Sequence, residues 1–334
     1  MNADRDTADC LTEADALQLV SGEGAAEEVE RWRSHVGECE TCRRFVAELA
    51  RICVPTESSE GLGGAPAVLP SGTALGHYAL QEVLGRGGMG VVYGAFDRRL
   101  NRSVALKVLR SHTDAFARLR REASVMARLS HPNVAEVYDV GEDDGRPYVV
   151  LERVEGPTLL AWWMSASRSM EDVLGVYAQA GRGLAAAHRA GLVHRDLKPG
   201  NVILVDGRVK VLDFGIARAR DDSTHLTRTG EVIGSPLYMA PEQIQGKDID
   251  GRCDLYALGV ITYTMLTGRE PFAADSPTAV VLKHLNDPPP DIRQILPDLP
   301  DEWIAVLDQL LAKKPDDRFP DAKALLDVVA DLPV

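Results

Sequence analysis

No apolar run in this 334-residue chain is long enough to cross a bilayer: the stretch from Leu255 to Leu266 falls short of the roughly 20 residues a spanning helix needs. The N-terminus, Met1-Asn2-Ala3-Asp4-Arg5-Asp6, lacks the charged-then-apolar order of a secretory signal. Positive charge is in deficit, with 37 Lys and Arg against 50 Asp and Glu and a net charge of −13. Such acidity works against general binding to nucleic acid or to an anionic membrane, since both are themselves negative. Cysteine nearly disappears after residue 53, where Cys253 stands alone and reads as a bystander. These absences lead to the expectation of a cytoplasmic protein with neither a membrane nor nucleic acid as partner. What is present, 45% hydrophobic and 26% charged residues, suffices for one large domain and a small extra module.

The stretch richest in chemistry is His194-Arg195-Asp196-Leu197-Lys198-Pro199-Gly200-Asn201, followed twelve residues after Asn201 by Asp213-Phe214-Gly215. It sets a base, a cation and two hard-oxygen metal ligands close together. Moving the end phosphate of a magnesium-bound nucleoside triphosphate requires those roles. Upstream, Gly85-Arg86-Gly87-Gly88-Met89-Gly90 has the spacing GxGxxG, in which missing side chains let backbone N–H groups approach phosphate. That spacing alone is weak, because dinucleotide-binding folds share it and continue into a helix. Here Leu80 to Leu84 and Val91 to Phe96 read as two strands of a hairpin, so the loop is expected to lie over phosphates as a flap. Lys107 interrupts the apolar strand Val104 to Leu109 and needs anionic partners. They are either nucleotide phosphates or Glu122, on a segment from Ala115 to Ala123 that favours helix. Taken alone, Glu122 reads as a solvated carboxylate on a charged helix face; beside the other motifs it reads as the partner of Lys107.

These motifs, in this order and with Ala240-Pro241-Glu242 after them, resemble a protein kinase domain, most of all the bacterial Ser/Thr kinases of eukaryotic type. The resemblance implies an α+β, two-lobed fold: a small antiparallel β-sheet lobe with one key helix, and a larger helical lobe. The expected division is a front module over 1–53, a flexible Gly-, Pro- and Ser-rich linker over 54–75 and the kinase domain over 76–334. ATP and Mg2+ are the implied cofactors, and the implied reaction moves the γ-phosphate to Ser or Thr hydroxyls of protein substrates. Asp196 would be the base, Lys198 the point charge on the migrating phosphoryl group, and Asn201 and Asp213 the magnesium ligands. Lys107 and Glu122 would position the phosphates under Gly85, Arg86, Gly87, Gly88, Met89 and Gly90. Val92, Ala105 and Ile203 would sandwich adenine, with Leu151 behind it and the main chain of Glu152 and Val154 meeting its edge. Arg153 reads as solvent-facing. Phe214 is expected to pack with His194, Met126 and Val137 in a column between the lobes, which makes His194 structural although a lone His there could be taken for a base.

Further roles follow from the same resemblance. Asp254 would bind the catalytic-loop backbone, and Glu242 would meet Arg318 as a buried ion pair. Arg195 directly before Asp196 is a guanidinium that calls for an anion, which a phosphothreonine would supply. Thr227 and Thr229 are the best matches for such a site, alongside Thr224, implying trans-autophosphorylation through self-association. The alternative is that these hydroxyls are ordinary loop residues. Ser235 stands where the family usually has threonine and keeps the hydroxyl. Lys198 two residues after Asp196, with no tyrosine-kinase signature, supports Ser and Thr as acceptors. Pro288-Pro289-Pro290 reads as a rigid turn rather than a docking motif. Many relatives continue into a membrane helix and an outer sensor, whereas this chain ends at Val334, so a sensing role is expected elsewhere.

Attention then turns to the front segment, where Cys10 and the run His35-x3-Cys39-x2-Cys42 supply four candidate zinc ligands. Thr12 to Val20 and Ala25 to Arg33 read as helices, and a module this small needs such a staple. The order resembles the zinc-binding domain of anti-sigma factors, which implies a structural Zn2+. A redox disulfide among Cys10, Cys39, Cys42 and Cys53, or reduced core cysteines beside an exposed His35, are the competing readings. Three function classes stay open: an active kinase, a catalytically dead kinase-like scaffold, and a zinc module that captures a protein partner. The presence of Lys107, Asp196, Asn201 and Asp213 favours the first.

Overall fold

The computed structural model describes residues 68–87, 90–109, 123, 125–214, 236–274, 276–330 and 332, together with 11, 19, 26–39, 42, 43 and 46 of the front segment. An antiparallel sheet comes first, built from β1 (Ala74–Leu75), β2 (Tyr78–Gly87), β3 (Gly90–Asp97), β4 (Arg102–Leu109), β5 (Val137–Asp143) and β6 (Arg146–Leu151), in the order β1-β2-β3-β4-β6-β5. Its strands alternate with period 2 between two apolar surfaces. Val104 and Leu106 of β4 and Tyr148 and Val150 of β6 join an outer cluster with Leu80, Tyr93 and Ala95. Ala105 and Leu109, with Val149 and Leu151, face the other way into the main core, which is continuous with the helical lobe. The sheet is therefore nailed to the helices through the face that carries Ala105 and Lys107.

The β2–β3 hairpin closes from Gly87 to Gly90, and Val92 lies opposite Lys107 in the β3–β4 register. Gly90 is obligatory: its φ is 153°, and a Cβ there would sit 2.0 Å from the Val108 carbonyl oxygen. The expected strand over Tyr148 to Val154 stops at Leu151, because the Glu152 N–H turns to the Glu136 carbonyl at 2.8 Å. Arg153, expected to face solvent, instead bridges Glu82 of β2 and Glu155, each at 2.9 Å, and is only 21% exposed. The expected helix from Ala115 lies outside the described residues, apart from helical Ala123, Val125 and Met126.

Below the sheet come α2 (Leu159–Met164), α3 (Met170–Arg189), the small hairpin β7 (Val202–Val205) and β8 (Arg208–Val211), α4 (Pro241–Ile244), α5 (Arg252–Thr267), α6 (Pro277–Asn286), α7 (Asp301–Leu310) and α8 (Ala322–Val329). Ser169 starts α3 with a capping box: its hydroxyl accepts the Asp172 N–H, and the Asp172 carboxylate accepts the Ser169 N–H. Helix α5 is buried on nearly every side, from Cys253 to Tyr263, and forms the floor under the loop from His194 to Asn201. It ends on Gly268, whose φ of 69° is a left-handed cap. In the front segment a helix, α1, spans Ala26–Glu38; it runs past the expected end at Arg33 and so carries His35. The helix expected over Thr12 to Val20 lies outside the described residues except for helical Leu19. No helix among the described residues is long and apolar enough to cross a membrane.

Candidate active site

The loop between α3 and β7 is held from below by one carboxylate. Asp254, fully buried at the start of α5, accepts the N–H groups of His194 and Arg195, each at 2.8 Å, and meets His188 Nε2 at 2.8 Å. Burial alone would raise its pKa, yet the His188 imidazole and these N–H groups hold it below the usual carboxylate range. The anchor is needed because Arg195 has a φ of 64°, a left-handed conformation costing about 1 kcal/mol or more for a residue with a Cβ. From above, Gln243 of α4 donates its side-chain N–H to the Arg195 carbonyl at 2.9 Å.

His194 has both ring nitrogens committed. Nε2 donates to the Leu212 carbonyl at 2.7 Å, and Nδ1 accepts the Asp196 N–H at 3.2 Å, which assigns the ring proton to Nε2. The ring also packs on Phe214, with centroids 4.8 Å apart. Phe214, Met126 and Val137 belong to the same buried core. A histidine fixed this way cannot serve as a base; it couples the loop bearing Asp196 to the turn bearing Asp213.

Next to it, Lys198 Nζ lies 3.2 Å from Asp196 Oδ2. The Asn201 amide nitrogen donates to the Asp196 carbonyl at 2.8 Å, so its oxygen is left for a cation. The backbone then carries the contact onward, since the Leu212 N–H donates to the Asn201 carbonyl at 2.8 Å. Asp213 follows at a φ of 57°, again left-handed, and its Oδ2 receives Lys107 Nζ at 2.9 Å. Lys107, Asp196, Lys198, Asn201 and Asp213 thus form one connected polar set. Two oxygen donors and two ammonium groups suit a magnesium-bound triphosphate, the cation demanding hard oxygen ligands and the phosphates positive charge.

Ala105 is buried and Val92 packs against the same core, while Ile203 lies opposite Lys210 in the β7–β8 register and bridges to Thr158. Since the Glu152 N–H is used by Glu136, any backbone bond from this residue to a ligand must come from its carbonyl. The Glu122 pairing, Gly88 and Met89, Thr224, Thr227, Thr229 and Ser235 lie outside the described residues. The expected ion pair of Glu242 with Arg318 is present and bidentate, at 2.7 and 2.8 Å. In the front segment, His35 Nε2 and Cys42 Sγ are 3.2 Å apart, and the ligand atoms of His35, Cys39 and Cys42 all lie within 4.8 Å of one another. Cys10 lies outside the described residues.

Three contributors were not singled out in the sequence: His188, Gln243 and Lys210. Each acts on a backbone or carboxylate far away in the chain. Gln243, directly after Glu242, had a motif neighbour that could have drawn attention to it.

Residues 78–328 match the protein kinase domain model, and the chain belongs to that family. It is 42% identical over 269 residues to the serine/threonine-protein kinase PknA of Mycobacterium tuberculosis, covering 77% of this chain and 62% of that one. It is also 42% identical over 265 residues to the DNA damage-responsive serine/threonine-protein kinase RqkA of Deinococcus radiodurans, covering 77% of this chain and 40% of that one. Among solved structures, the PknI kinase domain of Mycobacterium tuberculosis superposes with a TM-score of 0.63 at 31% identity, covering 79% of this chain and 99% of that one. The chain spans 62% and 40% of the length of these two curated relatives, less than two thirds of either.

Proposed function

We propose that this chain is a protein serine/threonine kinase that transfers the γ-phosphate of MgATP to Ser or Thr hydroxyls, its own activation-segment threonines Thr227 and Thr229 among them. The carrying observation is the connected set of Lys107, Asp213, Asn201, Asp196 and Lys198. Asn201 and Asp213 would hold magnesium, which would supply charge neutralisation to the phosphates. Asp196, held by the Asn201 amide and the His194 ring, accepts the hydroxyl proton as the acceptor oxygen attacks. Lys198 stabilises charge on the migrating group as its bond to the β,γ-bridging oxygen breaks and ADP leaves, and Lys107 orients the phosphates. Gly85 to Gly90 would cover the phosphates, and Val92, Ala105, Ile203 and the backbone of Glu152 and Val154 would hold the base. The test is phosphate incorporation with MgATP in wild type, Asp196→Asn and Lys107→Met. Each variant should lose at least about a hundredfold, the size of a removed base or charge contact; equal incorporation in all three would end the reading.

The front segment carries a second reading, favoured by the His35, Cys39 and Cys42 cluster. Tetrahedral zinc with the usual bond lengths sets its ligand atoms about 3.6–3.8 Å apart, within the span these three already occupy. Cys10 would complete a structural site, and the folded module would present a surface for a protein partner. Folding and metal binding are then coupled. Purified reduced protein should carry about one zinc per chain, and Cys39→Ser should lower that content; metal-free wild type with unchanged folding would remove the site.

A further inference from the structure

We propose that Lys210 is a positioning residue for the nucleotide: through the Glu152 carboxylate it fixes the backbone expected to hold the adenine end. The inference rests on the kinase reading of the cleft. Lys210 lies on β8, opposite Ile203 and three residues before Asp213. Its ammonium donates to Glu152 Oε2 at 2.8 Å and to the Val134 carbonyl at 3.3 Å. The same Glu152 oxygen accepts the Glu136 N–H at 3.1 Å, while the Glu152 N–H goes back to the Glu136 carbonyl at 2.8 Å. Around them, the Ala135 N–H donates to the Val211 carbonyl at 2.9 Å and the Val211 N–H to the Asn133 carbonyl at 3.0 Å.

One ammonium therefore joins three stretches: the strand that leads to the metal-binding Asp213, the run into β5, and the first residue after β6. Both side chains are shielded, at 16% and 24% exposure, so the pair is less screened than a surface ion pair. The chain leaves the sheet at Glu152, and the residues that follow would otherwise have to be ordered when a ligand binds. Ordering them beforehand removes that cost from binding. The Lys210 ammonium bonds to Glu152 and Val134, on the adenine side of the cleft, so the effect belongs to the grip on the nucleotide and not to the phosphoryl step.

The test is calorimetric titration of the full chain with MgADP, paired with the Tm of the unliganded protein. Lys210→Gln and the isosteric Glu152→Gln should each weaken Kd about 3- to 10-fold, by loss of preorganisation. Lys210→Arg should stay within about twofold of wild type, since a guanidinium also reaches the carboxylate. The double variant should be no weaker than either single one, because the two residues act through one contact. A Kd that is unchanged or tighter in Lys210→Gln, even with a lower Tm, would overturn the proposal and leave the pair as a fold contact only. Multiplying effects in the double variant would also overturn it. Wild-type protein that binds no MgADP would remove the nucleotide site itself, and this proposal with it.

Discussion

Removing Arg318 and removing Glu242 are not equivalent losses, although the two form one buried ion pair. Arg318 also donates to the carbonyls of Ala312, Arg252 and Lys313 at 2.8, 3.0 and 3.2 Å, and its guanidinium lies over the Tyr256 ring. Glu242→Gln leaves that guanidinium with three carbonyl acceptors. Arg318→Met leaves a carboxylate 3% exposed with its bidentate partner gone. Breaking a buried pair costs about 3–5 kcal/mol, so Arg318→Met should reach that range and Glu242→Gln should fall below it. Urea unfolding of both variants checks the order; equal losses would mean that the carbonyls contribute nothing. This pair and the Asp254 anchor were legible only because the kinase resemblance carries them over from its motifs. Lys210 was not, because its two acceptors lie 76 and 58 positions away in the chain and no local pattern joins them.

At the level of elements, packing decides what a helical glycine is for. Gly259 lies in α5 where it meets α7, and a Cβ there would sit 2.8 Å from Leu310 Cβ and 3.3 Å from Leu311 Cδ2. Alanine would gain about 1 kcal/mol of helix propensity and meet an overpacking cost of about 1–3 kcal/mol, so Gly259→Ala should destabilise. Gly175 on α3 is exposed with nothing within 4 Å of its would-be Cβ, and the same change should stabilise by about 0.5–1 kcal/mol. Thermal unfolding of the two variants should therefore shift in opposite directions. The β2–β3 hairpin was legible from its two strand-like runs around the glycine spacing, and β4 from its apolar run broken by one lysine. The end of β6 and the extent of α1 were not: the first depends on a hydrogen bond to a residue before β5, and the second continues through Ser34 to Glu38 in spite of Gly37, a residue that local propensity reads as a stop. Arg153 shows the same limit, since its partner Glu82 is brought to it by how β2 packs.

For the molecule as a whole, stability should respond to pH through a group outside the active site. His284 of α6 is fully buried; its Nδ1 lies 2.9 Å from the Tyr256 hydroxyl, and its ring packs on Phe272, over which the Lys313 ammonium sits at 3.8 Å. Burial, then the Lys313 charge, push the imidazole pKa from 6.5 down to about 3. Lys313 is itself lowered by burial to about 8, so it is charged throughout the acidic range. Between pH 6.5 and 3 the unfolded chain binds a proton that the folded chain refuses, and stability must fall as pH drops, by up to about 1.4 kcal/mol per unit. Carboxylates such as Asp254, held low in the fold, add a loss of the same sign below about pH 5, where unfolded carboxyl groups begin to take protons. The window from pH 6.5 to 5 therefore sets the carboxylates aside; His131, whose pKa burial also lowers, adds the same slope to wild type and variant alike, so the difference between them belongs to His284. In that window the Tm of His284→Gln, whose amide can keep a bond to Tyr256, should decline less steeply than that of wild type. Two parallel curves would mean that His284 already carries its proton in the folded chain.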